Sequence, residues 1–182
     1  MNQAFYSAVR ESVEISKQQW VEWRHVMTGL FHCGACLSLD KCWFVFAKAP
    51  ISPLHEKCHC YTVAIPASQV KNQATAKSDY KKFNPYLFDP ENFYKHGKEK
   101  MYARWGYTIS DSEWLQKEIE RQGKQQYLLG NYELGVLNMR GQRISIRVTI
   151  PQKNGIGEVS FVTGWMVKPG GEISLNTPYG GK

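Results

Sequence analysis

Several signatures are missing from this sequence altogether. No run approaches the roughly 20 apolar residues of a transmembrane helix, so no membrane partner is expected. The first residues, MNQAFYSAVRESVEISK, lack the basic start and apolar centre of a signal peptide, which points to synthesis in a reducing compartment. No phosphate-cradling glycine loop, paired catalytic carboxylates or nucleophile elbow argues for the enzyme classes built on them. Acidic side chains are the scarcer charge, 16 Asp and Glu against 23 Lys and Arg, for a net charge of +7. Residues 1–70 hold six basic and five acidic side chains, whereas residues 71–182 hold 17 and 11. The downstream part is therefore the candidate for a polyanionic partner.

Cysteine is absent outside residues 33–60, and that concentration organises the chain. Cys33 and Cys36 form a C-x-x-C pair, and after 18 intervening residues His55, Cys58 and Cys60 form H-x-x-C-x-C. Two close-set groups of soft ligands joined by a loop are what a tetrahedral structural zinc site requires. Disulfides are the competing reading, but five cysteines leave one unpaired. A redox pair would open a helix in a βαβ pattern, which is absent. Cys33, Cys36, His55, Cys58 and Cys60 are the candidate ligands, more than one tetrahedral ion needs. Cys42 precedes Trp43-Phe44-Val45-Phe46 and reads as a small hydrophobe in a strand. His32 and His59 adjoin ligands, and in an extended chain neighbours point opposite ways.

Apolar spacing predicts an amphipathic helix over 3–18, then strands over 19–27, 42–47 and 61–65 around the cysteine groups. Residues 66–85 are polar, small and basic with proline at both ends, the composition of a linker. Asp89-Pro90 opens a helix that Gly106 ends, with Phe93, Gly97, Met101 and Trp105 near one face. Ser110 to Glu113 reads as a capping box for a second helix stopping at Gly123. From Leu134 onward the period becomes two: Arg143, Ser145, Arg147 and Thr149 alternate with Ile144, Ile146, Val148 and Ile150. The expected fold class is α+β: a zinc-stabilised β module at 1–66, a linker at 67–85, and two helices with an antiparallel sheet at 86–182.

Two resemblances bear on function. The order Trp20-x-x-Trp23, C-x-x-C, the Pro50 to Pro53 approach and H-x-x-C-x-C resembles the C-terminal part of Mu F-like minor head (head morphogenesis) proteins of tailed phages. That family's typical ending is similar to H-P-N-C-R-C; here Glu56 and His59 replace its proline and arginine. The resemblance covers residues 15–66 and implies a phage or prophage origin and a metal-binding fold, but not that this short chain builds heads; phage head or portal proteins are the partners expected if it is an interaction protein. Residues 86–182 resemble polymorphic-toxin ribonuclease domains of the barnase–EndoU–colicin–RelE group, through Gly164-Trp165, Lys168 to Gly171, Leu175 to Tyr179, and His96 on the first helix. That resemblance implies metal-independent RNA cleavage and an immunity protein as partner.

RNA cleavage by internal transfer needs a base for the 2′-hydroxyl proton, an acid for the leaving oxygen, and cations for the phosphate charge. His96 is the only histidine outside the cysteine region and its preceding strand, and titrates near neutrality unaided. The candidate catalytic residues are His96, Lys100, Arg147 and Thr177. The candidate substrate-binding residues are Arg143, Thr163, Tyr179 and, as a base-stacking ring, Trp165. Alternating Arg and Ser also describes any solvated sheet face, and a core position is the competing reading of Trp165. A non-catalytic head or interaction protein, and a basic nucleic-acid-binding or inhibitor module, are the other functional readings. A cytoplasmic or virion-associated location is expected in each case.

Overall fold

The computed structural model describes residues 14–15, 17–26, 33–89 and 97–178. Most of the expected N-terminal helix, residues 90–96 of the expected helix after Asp89, His96 and Tyr179 lie outside the described residues. The fold is α+β, with four helices and two sheets among the described residues.

The smaller sheet is antiparallel, in the order β2 (Trp43–Val45), β1 (Trp20–Arg24), β3 (Tyr61–Ile65). Aromatic and β-branched residues favour this pleated, packed environment. Trp20, Val21, Glu22 and Trp23 of β1 are all buried, so both faces of the central strand are covered. A short helix, α1 (Gly34–Ser38), lies between β1 and β2 in the chain.

The larger sheet has the order β4 (Thr75–Lys77), β8 (Glu172–Thr177), β7 (Glu158–Val167), β6 (Gly141–Pro151), β5 (Glu133–Asn138). Its last four strands form the expected antiparallel meander, and β4 adds to β8 in parallel. The period-two pattern sets the faces. Ile144, Ile146, Val148 and Ile150 are buried, and Arg143 and Arg147 are exposed on the opposite face. Helix α4 (Ser112–Leu128) covers the buried face with Leu115, Ile119, Gly123 and Tyr127. Gly123 does not stop this helix. A β-carbon there would lie 2.4 Å from Trp165 Cζ2, so the missing side chain is what admits the indole. Gln122 donates to the Thr149 carbonyl (2.6 Å) and accepts from its N–H (2.9 Å). It thereby substitutes for a strand partner where β5 no longer runs beside β6.

Residues 67–85 are a folded part of this unit and not a linker. They form α2 (Ala67–Gln73), β4 and a 3-10 turn over Tyr80–Lys82, and bury Val70, Ala74 and Phe83. A few apolar anchors in a polar stretch, together with parallel pairing to β8, outweigh the linker-like composition. Helix α3 (Lys98–Arg104) ends where expected, at a left-handed Gly106 (φ 84°), but its buried anchor is Tyr102. The capping box ahead of α4 is Thr108 with Asp111, two residues before the expected one.

The two sheets share one hydrophobic core, which runs from Trp20, Trp23 and Phe44 through Ile119 and Tyr127 to Trp165 and Ile173. Cys42 bridges to Pro169, and Gly171 (φ 80°) lets Trp43 approach so closely that a β-carbon would sit 2.3 Å from its ring. No helix among the described residues is long and apolar enough to cross a membrane.

Candidate functional site

Two sites stand out. The first is the cysteine cluster, built where the small sheet's loops converge. Cys33, Cys36 and His55 form one group and Cys36, Cys58 and Cys60 another, with the ligand atoms of each group within 4.8 Å of one another. These groups could hold a metal ion. Cys36 belongs to both, with its Sγ 3.2 Å from His55 Nε2 and 3.7 Å from Cys58 Sγ. A tetrahedral ion with metal–sulfur bonds of about 2.3 Å sets sulfur–sulfur edges of about 3.8 Å, so the cysteine pair already stands at ligand spacing. His55 Nδ1 lies 2.7 Å from the Glu56 carbonyl oxygen. With the proton on Nδ1, the Nε2 lone pair faces the thiols.

The loop backbone also favours thiolates. Hydrogen bonds from the Cys36 and Ala35 backbone lower the Cys33 pKa. Burial pushes the Cys58 thiol up, but backbone hydrogen bonds from Leu54 and Cys60 outweigh it and bring it down to about 7. Burial and the neighbouring thiols raise Cys36 instead, the behaviour of a buried thiol without a cation beside it. Lys57, between His55 and Cys58, takes a left-handed φ of 60° that turns the chain between these ligands. Cys42 is buried away from the cluster in the core, as its strand position implies. The residue missed in the sequence is His25, whose Nδ1 lies 3.3 Å from Cys60 Sγ. It follows β1 directly, and only the pairing of β1 with β3 brings it to Cys60.

The second site is the outer face of the larger sheet. A groove of about 370 Å³ crosses four strands, from Gly135 and Val136 over Arg143, Ser145 and Gly164 to Thr177. Gly164 forms part of its floor, opposite Ser145. Thr177 reaches this face through a β-bulge. Trp165 pairs with Leu175 but Gly164 pairs with Thr177, so Asn176 is the extra residue and the parity of β8 flips. A β-carbon on Gly164 would meet Thr177 Cγ2 at 3.0 Å, which places the Thr177 side chain over Gly164. Thr177 Oγ1 accepts from Lys98 Nζ at 2.9 Å. Lys82 Nζ donates to the Leu175 and Asn176 carbonyls beside it (2.5 and 3.0 Å).

Of the expected substrate-binding and catalytic residues, Arg143, Arg147 and Thr177 stand on this outer face. Two expectations are corrected. Thr163 and Trp165 are fully buried on the opposite face, where Thr163 Oγ1 donates to the Ile146 carbonyl (2.8 Å) and accepts from Trp165 Nε1 (2.8 Å). Their parity with Phe161 and Val167 was the available signal. Lys100 is exposed on α3, two residues from Lys98 and so on nearly the opposite side of the helix. The lysine at Thr177 is Lys98. His96 and Tyr179 lie outside the described residues.

Residues 69–181, well over half of the chain, match the family model for DUF6883, described as a domain of unknown function. The chain belongs to the DUF6883 family. The DUF6883 match begins inside α2 and takes in β4, the whole larger sheet and the groove, and leaves the cysteine cluster outside it. No curated protein and no solved structure matches the chain.

Proposed function

We propose that the outer face of the larger sheet binds RNA and that the chain is a phage-derived, toxin-like ribonuclease stapled by a structural zinc ion. The observation that carries this reading is the juxtaposition of exposed Arg143 and Arg147 with a glycine-floored groove that ends at the Thr177 hydroxyl and Lys98. Glycine lets a polymer backbone approach the sheet, guanidinium groups fit phosphate oxygens bidentately, and the hydroxyl can donate to a phosphate.

In the proposed reaction the 2′-oxygen attacks phosphorus as the bond to the 5′-oxygen breaks. His96 takes the 2′-hydroxyl proton, and a solvent water protonates the leaving 5′-oxygen. Arg147 and the Thr177 hydroxyl hold the charge that gathers on the non-bridging oxygens. No step needs a metal at the scissile phosphate. Zinc is the proposed ion for the cysteine cluster because three thiolates with one imidazole, or four thiolates, suit a soft tetrahedral site. Its role is to fix the loops of the small sheet.

Fluorescence anisotropy with a single-stranded RNA oligonucleotide tests the surface. Arg143→Gln and Arg147→Gln should each reduce the slope of log affinity against log salt by about 0.7, the loss of one phosphate contact. A folded double variant that binds RNA like the wild type would overturn the assignment of this face.

A further inference from the structure

Five of the six tryptophans are buried or half-buried, and Trp114 alone leaves 44% of its surface exposed. It stands in the first turn of α4, and its indole lies parallel to the buried Tyr107 ring, with centres 5.7 Å apart and planes inclined by 14°. Tyr107 is held in turn by its hydroxyl, which donates to the Pro151 carbonyl at 2.6 Å. Lys153, just past the end of β6, reaches across to this pair. Its Nζ donates to Asp111 Oδ1 at 2.6 Å and stands 5.8 Å from the centre of the Tyr107 ring. Tyr107, Asp111, Trp114, Pro151 and Lys153 together line an open recess of about 360 Å³. We propose that this recess is a nucleobase pocket, in which a base lies flat against the Trp114 indole and turns its polar edge to the Asp111–Lys153 pair.

The chemistry of the lining favours a base over other occupants. An indole face left in water offers stacking to any flat ring, the means by which single-stranded nucleic acids are gripped without sequence preference. A carboxylate beside an ammonium presents an acceptor and a donor side by side. The edge of every base carries the complementary pair, an N–H next to a ring nitrogen or carbonyl. Both polar groups are in place beforehand. The Lys153 N–H donates to the Trp105 carbonyl at 2.8 Å and the Asn154 side chain donates to the Arg104 carbonyl, so the β6–β7 turn is docked on the corner after α3. Asp111 accepts from the N–H and hydroxyl of Thr108 (2.9 and 3.3 Å). An ammonium has three hydrogens, so Lys153 keeps donors for a ligand after bonding Asp111. Because Asp111 offsets the charge of Lys153, the recess suits an uncharged base better than a phosphate. It lies beyond Pro151, at the other end of β6 from Arg143 and roughly 25 Å away along the strand, and is therefore distinct from the outer-face groove.

The base can belong to a free nucleotide or to an RNA strand, and only the second source rests on the RNA reading above. The probes are the four nucleoside 5′-monophosphates, titrated calorimetrically into the full chain alongside ribose 5-phosphate. The nucleotides should bind, and ribose 5-phosphate, which has no base, should not. Trp114→Ala should weaken nucleotide binding about five-fold or more, the loss of one stacked base, and Trp114→Phe should recover part of it. Lys153→Met should change the order of preference among the four bases, which a purely structural role would leave alone. A urea melt of each variant separates loss of the pocket from loss of the fold, and Trp114→Leu serves as the second test if Trp114→Ala does not fold. Failure of every nucleotide to bind, equal binding of ribose 5-phosphate, or equal affinity in folded Trp114→Ala would overturn the pocket. Binding of a proline-rich peptide but of no nucleotide would overturn it in favour of a protein partner. A matching loss of RNA oligonucleotide affinity in Trp114→Ala assigns the base to a strand, and an unchanged affinity assigns it to a free nucleotide. If nucleotides bind while RNA is neither bound nor cut, the ribonuclease reading fails alone.

Discussion

The phenolic hydroxyl of Tyr127 donates to the main-chain carbonyl of Trp43 at 2.6 Å, across a buried junction between residues 84 apart in sequence. That bond ties the last turn of α4 to an edge strand of the cysteine-bearing sheet. Beside it, the Tyr132 hydroxyl accepts from the Val45 N–H at 3.1 Å, and Trp20 packs edge-on against Tyr127 with ring centres 5.3 Å apart. The small sheet is thus a wall of the same core that supports the groove.

Removal of the Tyr127 hydroxyl tests this union. Tyr127→Phe keeps the ring but leaves a buried carbonyl without its partner, and should cost about 1–3 kcal/mol of unfolding free energy. Tryptophan fluorescence and far-ultraviolet circular dichroism should still report one coincident transition in urea. Two separated transitions would mean that the sheets unfold independently.

Cys36 is shared by both ligand groups, whereas Cys42 belongs to neither. Native mass spectrometry of the wild type should show one bound zinc ion per chain. Cys36→Ser should lose it, and Cys42→Ser should keep it while melting earlier, because Cys42 is buried in the core. Retention of zinc by Cys36→Ser would contradict the proposed centre.

Gly123 is a packing residue. Gly123→Ala drives a methyl group into the Trp165 ring and should cost about 1–3 kcal/mol despite alanine's better helix propensity. Urea denaturation reads this directly, and a stabilised variant would mean that α4 can move off the sheet without penalty.

Asp111 links stability to pH. Burial alone would raise its pKa, but the hydrogen bond from Lys153 (2.6 Å) and the Thr108 backbone N–H (2.9 Å) outweigh it and hold it below the usual carboxylate value. A pKa lowered on folding contributes stability that is present above the unfolded value, near about 4, and lost as pH falls through the folded one. Acid unfolding of Asp111→Asn should therefore lose part of the steep limb below roughly pH 4. An unchanged acid limb would show that the ion pair does not persist in solution.

Much of this architecture is legible in residue patterns. Tyr61–Ile65 stands as a strand at the expected bounds, and the alternation around Arg143 to Ile150 separates a buried face from an exposed one. What escapes the patterns depends on contacts distant in sequence. Gly123 resembles a helix stop until Trp165 is seen to occupy its place. Thr75–Lys77 is too short to show a period, and only its pairing with β8 defines it. Thr177 should share the buried face of Leu175 by simple alternation, and a bulge at Asn176 turns it outward to Lys98. His25 carries no motif, and strand pairing alone brings it to Cys60.

The most direct test of the ribonuclease reading is the chemistry of the product ends. Purified chain incubated with a single-stranded RNA, without added divalent ions, should release fragments that end in 2′,3′-cyclic phosphates, and His96→Ala or Arg147→Ala should abolish their release. Intact RNA after incubation with folded, zinc-loaded wild type, or cleavage that persists in both variants, would contradict the account.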